Sequence, residues 1–375
     1  MTRSPITGGQ DSSRVLLTLA EHSHLSRKDL EYLCALSRPT IDKVLRTLLR
    51  YRLAVRDGYQ ASARGRRSSL FKFNERHKYA LGVDFEIPQL NLILSDLSGR
   101  TIRRRALKLL SEGWDDPQSV ITFVAQRVRR FMAQAHLPLE RIIGLGFGAP
   151  ALLQDGTLTL LGETLPAWRK VPVKAMLEDE LGVPVLLGHD AGFMALTEST
   201  RRRDGEHVVA YLTLRQGAYG DIRMGGAVLI DGRVYWGAHG NAISLREAYV
   251  KLKKSAQHKL ALSAKPVVAI DSRELRDLLQ EHLWSPVLNL VTLFDPERLI
   301  IQARLLKAEE EPFLEHLTRR LKAHLGEAFR FEVLPAQEGD WACAQGAALY
   351  VLQGLFSDSE HLIERLTAAR PQGGR

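Results

Sequence analysis

Hydrophobic positions in the first 53 residues recur at helical spacing. Val15, Leu16 and Leu19 share one face, with Ser12 and Ser13 as candidate N-caps before them. Ser26-Arg27-Lys28-Asp29 has capping-box spacing, with Asp in place of Glu, and leads into Leu30, Leu33 and Cys34. Ser37 is placed to cap a third helix with Pro39 in its first turn, where a missing N–H costs nothing. There Ile41, Val44, Leu45, Leu48 and Leu49 form a stripe at i, i+3, i+4, i+7, i+8, which turns Arg38, Asp42, Lys43, Arg46, Thr47 and Arg50 outward. Leu53 to Val55, an Asp57-Gly58 turn and Ser68 to Phe73 predict a small β-ribbon enclosing Arg64-Gly65-Arg66-Arg67. Three short helices and a basic ribbon predict a winged helix-turn-helix.

From Tyr79 the pattern changes to strands: Ala80 to Phe85, Leu90 to Asp96 and Thr101 to Leu109 form a meander. An amphipathic helix over Ser119–Gln134, a buried strand Ile142–Gly148, a helix Val173–Leu181 and a strand Val183–Leu187 follow, with Asp190 opening the next helix. The second half repeats this order, with strands at Val208–Leu214 and Ala227–Ile230 and helices around Leu275–Leu293 and Pro312–Leu325. The fold class is therefore α/β, a two-lobed body behind a winged helix-turn-helix. The expected division is 1–75 for the N-terminal module and 76–356 for the body. Lobe 1 takes about 76–188 plus a C-terminal helix at about 340–356, and lobe 2 about 189–339. Residues 357–375 are expected to be a tail of frayed helix and disordered end.

Charge sharpens this division. Residues 1–78 hold 16 Lys+Arg against 7 Asp+Glu, whereas the remaining 297 balance at 36 against 36, so the whole excess of +9 lies in the first fifth. A basic module on a neutral body suits a chain that meets a polyanion at one end. The candidate DNA contacts are Ser37, Arg38, Thr40, Lys43, Arg46, Thr47 and Arg50, whose helix would enter a major groove, and Arg64, Arg66 and Arg67, which would reach the backbone or a narrow minor groove. Two cysteines, Cys34 and Cys343, exclude a disulfide framework and a cysteine-rich zinc site. No uncharged apolar stretch approaches 18 residues and no secretory h-region opens the chain, so a cytoplasmic location without a membrane partner is expected.

Gly144-Leu145-Gly146-Phe147-Gly148-Ala149-Pro150, Leu165-Pro166-Ala167-Trp168, Leu181 to Val185 shortly before Asp190-Ala191, and Asp231 to Ala242 occur together, in one order, behind the helix-turn-helix. In this the chain resembles the ROK family of repressors, open reading frames and kinases, over about Ser12 to Phe356. The resemblance implies an actin-like, hexokinase-like pair of lobes binding a sugar between them. It places Asp190 at the family's catalytic base, and Gly148, Thr164, His189, Asp190, Asn241, Ser244 and Glu247 at ligand-facing positions.

The departures from the family pattern are chemical. The first phosphate loop, Asp-x-Gly-Gly-Thr in the family, reads Asp84-Phe85-Glu86-Ile87-Pro88. Glu86 repels phosphate, Pro88 lacks a donor, and bulky side chains stand where backbone must approach closely. The second loop aligns poorly with Arg215 to Gly225, with an insertion of about six residues. A later Gly-Gly pair is replaced within Leu299 to Ala303. The family's zinc segment is missing its cysteines; Ser244 and Glu247 replace its Glu and His, and Thr164 and His189 replace two asparagines.

The sequence thus points to a transcriptional regulator without kinase activity, metal or cofactor. Its expected partners are double-stranded DNA with a pseudo-palindromic operator and a sugar or sugar-derivative effector, and its expected state is a homodimer, with a tetramer as the alternative. The competing reading is a regulator whose body has lost sugar sensing and serves dimerisation or protein interaction.

Overall fold

The protein's structure, a computed structural model, describes residues 9–60, 67–86, 89–108, 116–160, 166–202, 205–216, 222–243, 245, 249–250 and 272–368. The N-terminal module comprises α1 (Gly9–Glu21), β1 (Leu25–Ser26), α2 (Arg27–Cys34), α3 (Arg38–Arg50), β2 (Ala54–Gln60) and β3 (Ser68–Phe73), with sheet order β1-β3-β2. The capping box starts α2: the Ser26 hydroxyl accepts from the Asp29 N–H at 3.3 Å and the Asp29 carboxylate from the Ser26 N–H at 2.8 Å. On α3, Ile41, Val44, Leu45 and Leu48 are buried and Leu49 is half-buried. Ser12 and Ser13 do not cap α1; the helix begins at Gly9 and buries both serines. Asp57 and Gly58 are likewise not the hairpin turn. They lie inside β2, where the register shifts between Arg56 and Tyr59 and Gly58 takes φ 91°, so they form a bulge.

The body contains two five-strand arrangements with the same plan. The first comprises β4 (Tyr79–Glu86), β5 (Gln89–Asp96), β6 (Thr101–Lys108), β7 (Ile142–Ala149) and β10 (Val185–His189), in the order β10-β7-β4-β5-β6. The meander β4-β5-β6 is antiparallel, and β7 and β10 add in parallel. The second comprises β11 (Val208–Gln216), β12 (Ile222–Ile230), β13 (Arg233–Val234), β15 (Arg298–Gln302) and β16 (Glu332–Pro335), in the order β13-β12-β11-β15-β16, with β14 (Tyr249–Val250) also on β12. Here too the meander is antiparallel and the last two strands are parallel. The hairpin β8 (Ala151–Gln154) and β9 (Thr157–Leu160) projects from the first sheet.

Helices α4 (Pro117–Gln134) and α5 (Val173–Leu181) cover the first sheet, where Phe85 stacks 5.4 Å from both Phe147 and Trp168. The single helix expected near 275–293 is two, α7 (Ser272–His282) and α8 (Trp284–Phe294). Pro286 cannot donate to the carbonyl four residues back and crowds it, so the helix breaks at Leu283. Together with α9 (Glu310–Leu325) they pack on the second sheet.

Helix α6 (Asp190–Arg202) and helix α10 (Ala342–Ser357) lie between the two sheets. The start of α10 is almost all small residues, and that permits backbone contact. A Cβ on Gly82 would stand 1.8 Å from the Ala344 carbonyl oxygen, one on Gly146 would stand 2.1 Å from that of Ala347, and one on Gly346 would stand 1.7 Å from that of Phe193 on α6. The far end of α10 changes partners: Ala348, Val351, Leu352 and Leu355 share a core with Leu16, Leu48 and Phe71 of the N-terminal module. The tail departs from expectation. Residues Leu362–Thr367 form a packed helix, α11, that buries Leu362, Ile363 and Leu366 in that same core, and the Leu366 carbonyl lies 3.1 Å from His77 Nε2.

Gly82→Ala forces a methyl group into backbone and is expected to destabilise the chain by about 3 kcal/mol. At Gly58 nothing lies within 4 Å of a Cβ, so Gly58→Ala meets only the left-handed backbone, at about 1 kcal/mol. Urea unfolding of the two variants measures the difference.

Candidate functional site

Two sets of chemically capable residues emerge, one on the N-terminal module and one at the seam between the sheets. On the module, Ser37, Arg38, Lys43, Arg46 and Arg50 are exposed along α3, Thr40 and Thr47 are half-buried, and Arg67 is exposed just before β3. Ser37 occupies the N-cap position without capping through its side chain; its hydroxyl lies 2.9 Å from that of Thr40. Arg38 is held by Glu31 at 3.0 Å and lies 3.8 Å from Asp42, which also pairs with Arg27 at 2.7 Å. These pairs orient Arg38 at the start of the helix, while Lys43, Arg46 and Arg50 carry the basic face onward. Arg64 and Arg66 lie outside the described residues.

At the seam, period-two alternation puts Tyr211, Thr213 and Arg215 of β11 on one face, toward α6 and α10. Arg215 spans the gap between the sheets. Its Nη2 donates to Asp190 Oδ2 at 2.5 Å, at the start of α6, and its Nη1 donates to Glu86 on β4. Asp84, two residues earlier on β4, is buried, and its Oδ2 accepts from Asn91 Nδ2 at 3.2 Å. The thiol of Cys343, near the start of α10, lies beside it. Burial first, and then the charge of Glu86, push the Asp84 carboxyl up to about 7. Burial opposes the Arg215 charge, but Asp190, Glu86 and Asp84 together outweigh it and hold the guanidinium protonated. Burial, followed by Asp84, pushes the Cys343 thiol well up, so it stays neutral. Thr213 Oγ1 donates to Gln302 Oε1 at 2.5 Å, so Gln302 occupies the strand end where the resemblance implies glycines.

The residues that the resemblance puts at ligand positions have partners here. Asp190 opens α6, where its Oδ1 accepts from the adjacent Ala191 N–H at 2.7 Å, and its other oxygen belongs to Arg215. His189 Nδ1 accepts from the Gly192 N–H at 3.2 Å, which leaves the proton on Nε2, toward the backbone of Ala242. The ring lies edge-on to Trp236 at 5.0 Å, and burial lowers its pKa, keeping it neutral. Asn241 pairs with one backbone residue in both directions: its Oδ1 accepts from the Leu153 N–H at 2.8 Å and its Nδ2 donates to the Leu153 carbonyl at 2.7 Å. This clasps the loop after β13 to β8. Gly148 serves close packing, since a Cβ there would stand 2.5 Å from Cys343 Sγ and 2.9 Å from Phe193. Thr164, Ser244 and Glu247 lie outside the described residues. Among the described residues, no group of His, Cys, Asp and Glu could hold a metal ion, and no helix is long and apolar enough to cross a membrane.

Sequence reasoning missed Arg215, Tyr211, Asn91 and Cys343 as members of one cluster, and read Glu86 only as a repellent of phosphate. Alternation along Tyr211, Thr213 and Arg215 was the available signal, but no motif spacing marks which sheet an arginine will cross to.

Removing Arg215 leaves its carboxylates without their cation, so Arg215→Met is expected to cost about 3 kcal/mol, part of it recovered when Glu86→Gln is added; urea unfolding of the three variants measures this. The pH dependence has a definite sign. Asp84 is raised from 3.8 to about 7 in the folded chain, so its stability contribution is full below pH 4 and is lost as pH rises through 7. Asp84→Asn should therefore raise the melting temperature more at pH 8 than at pH 5.

Comparison with known proteins bears on the fold that holds these residues. The xylose repressor of Caldicellulosiruptor bescii is 24% identical over 229 residues, 61% of this chain and 55% of that protein, so the chain spans about half the length of such curated relatives. A crystal structure of a ROK family transcriptional regulator, described as a homologue of the Mlc protein of Escherichia coli, superposes with a TM-score of 0.69 at 19% identity, covering 96% of this chain and 99% of that one. The ROK hexokinase from Thermus thermophilus superposes with a TM-score of 0.56 at 22% identity over 74% of this chain and 99% of that one, which establishes the hexokinase-like fold of the body. The family model described as ROK family matches residues 80–245. The strand from Ala80, the seam at Asp84, Glu86, Asp190 and Arg215, and the Asn241 clasp all fall within that match: the body of this chain carries a ROK family domain.

Proposed function

We propose that the chain is a DNA-binding transcriptional repressor of the ROK family that works as a homodimer on a pseudo-palindromic operator. The observation that carries this reading is the exposed basic face of α3, Arg38, Lys43, Arg46 and Arg50, within the first 78 residues, which hold all of the chain's excess positive charge. Residues 1–75 form the DNA-reading module and 76–356 the body, and a two-fold axis relates two copies of α3. The likeness to a xylose repressor supports a sugar or sugar derivative as effector. A ligand that binds one arrangement of the lobes better shifts the distance between the recognition helices.

A specific observation favours a second reading. Asp190 is already engaged by Arg215 and Asn241 by Leu153, which suits a body that has given up ordinary sugar sensing for dimerisation or protein interaction. In either reading the chain transfers no phosphate. A base bound to an arginine, in a site with Glu86 in the phosphate loop, positions no donor. Sugar-dependent ATP turnover abolished by Asp190→Ala would overturn that statement.

The direct test is selection of duplexes from a random pool by the full chain, followed by anisotropy titrations at several salt concentrations. A two-fold consensus is expected. Lys43→Ala should cost about 1–3 kcal/mol at one consensus position if it reads a base edge, and Arg67→Ala should weaken all sequences and lower the salt slope by about one. Recovery of no preferred sequence would remove the reading.

A further inference from the structure

The seam cluster is short of positive charge. Asp84, Glu86 and Asp190 converge on a single guanidinium, that of Arg215, and no other cation pairs with these three carboxylates among the described residues. Such a group must be balanced by a proton or by another cation. Asp84 Oδ1 is buried and has no N–H or O–H partner among the described residues; the weakly donating Cys343 thiol lies against the same carboxylate, whose other oxygen accepts from Asn91. The Tyr211 hydroxyl, on the Arg215 face of β11, is also buried and without a hydrogen-bond partner there. A carboxylate oxygen and a hydroxyl without N–H or O–H partners, each close to Arg215, Asp190 and Cys343 in a cluster with a surplus of acid, match a ligand that brings donors and a positive charge.

We propose that the seam between the sheets binds the ammonium group of a small hydroxylated or polyamine ligand, with Asp84 and Glu86 as its counter-charges and Tyr211 as a hydrogen-bond partner. This rests on the reading of the chain as a regulator with an effector site. Neutral sugars lack the charge, and anionic sugars meet three carboxylates. Glu86, whose side chain is 41% exposed, is the outer edge of the site, and Asp84 the buried end. Binding exchanges one cation for another. The ammonium group enters charged, Asp84 releases its proton to solvent, and the ligand is neither oxidised nor cleaved. The charged and titratable groups around Asp84 are Glu86 on its own strand, Arg215 on β11, Asp190 on α6 and Cys343 on α10, and Tyr211 on β11 faces Arg215, Asp190, Cys343 and Glu198. Of these, Tyr211 and Cys343 are held neutral by burial, so the exchanged proton belongs to Asp84.

The test uses the full chain in thermal-shift and calorimetric titrations with glucosamine and with spermidine. Glucose, N-acetylglucosamine, glucuronate and potassium chloride at matched ionic strength serve as controls. A saturable shift is expected with an amine and none with the controls, and the two amines distinguish an amino sugar from a polyamine. Because the amine displaces a proton, the apparent affinity for spermidine, whose ammonium groups stay protonated over this range, should rise roughly tenfold between pH 6 and pH 8, and that for glucosamine, which itself loses its proton there, should rise less. Asp84→Asn keeps the shape of the site and should abolish both the shift and its pH dependence, while the variant continues to bind duplex DNA in a parallel anisotropy assay. Equal shifts from neutral or acidic sugars, an amine shift that survives in Asp84→Asn, or silence of both amines would each overturn the proposal. Failure of the full chain to select DNA would instead overturn the repressor reading, whatever the amines do.

Discussion

Backbone against backbone at α10 is the contact on which the remaining architecture depends. One helix of small residues meets the first sheet at Gly82 and Gly146, meets α6 through Gly346, and continues into the core of the N-terminal module through Val351, Leu352 and Leu355. Because no side chain separates these surfaces, the helix cannot shift against one neighbour without moving against the others. Packed interiors of this density have discrete arrangements and little compliance. The α10–α11 segment is therefore a rigid connection between the seam, where Cys343 lies beside Asp84, and the module that carries α3.

The seam shows how two carboxylates and an arginine from facing sheets settle into one arrangement. Glu86 stands on β4, and a basic side chain from the opposite sheet, Arg215, meets it. The pairing is mutually consistent, since Arg215 without Glu86 and Asp190 would be an uncompensated buried cation, and the carboxylates without Arg215 would repel one another. Ion pairs of this kind contribute less to stability than to the choice of one geometry. Here they favour the arrangement in which β4 and β11 face each other across α6. The Asn241 clasp on Leu153 acts in the same direction from the other side of the body, with both halves of its amide spent on one backbone residue.

Much of the fold is legible in the sequence because its signals are local. The capping box at Ser26 and Asp29, the stripe on α3, the meander from Tyr79 and the helix opened by Asp190 are written in neighbouring residues, and each stands close to where periodicity predicts. The misreadings have local causes too. Asp57-Gly58 has the composition of a turn and forms a bulge, and Ser12-Ser13 has the composition of a cap and is buried inside a helix. In both cases pairing and packing at a distance outweigh what the dipeptide prefers. The terminal residues read as a tail because six residues of amphipathic helix are too short to be stable alone; docking on the N-terminal core makes α11 a helix.

By itself, then, the sequence determined the class of the strongly periodic elements, such as α2, α3, the meander from Tyr79 and α4, the segregation of charge into the first fifth of the chain, and the departure at Glu86 and Pro88 from the phosphate loop that the resemblance implies, because periodicity, composition and motif are properties of adjacent residues. The tertiary structure alone decided which charges meet. Arg215 and Glu86 are separated by 129 positions and Asn241 and Leu153 by 88, and nothing in either neighbourhood names its partner. Only the stacking of two sheets on a shared helix brings them within hydrogen-bonding reach, and burial there turns an ordinary aspartate at position 84 into a group poised near neutrality.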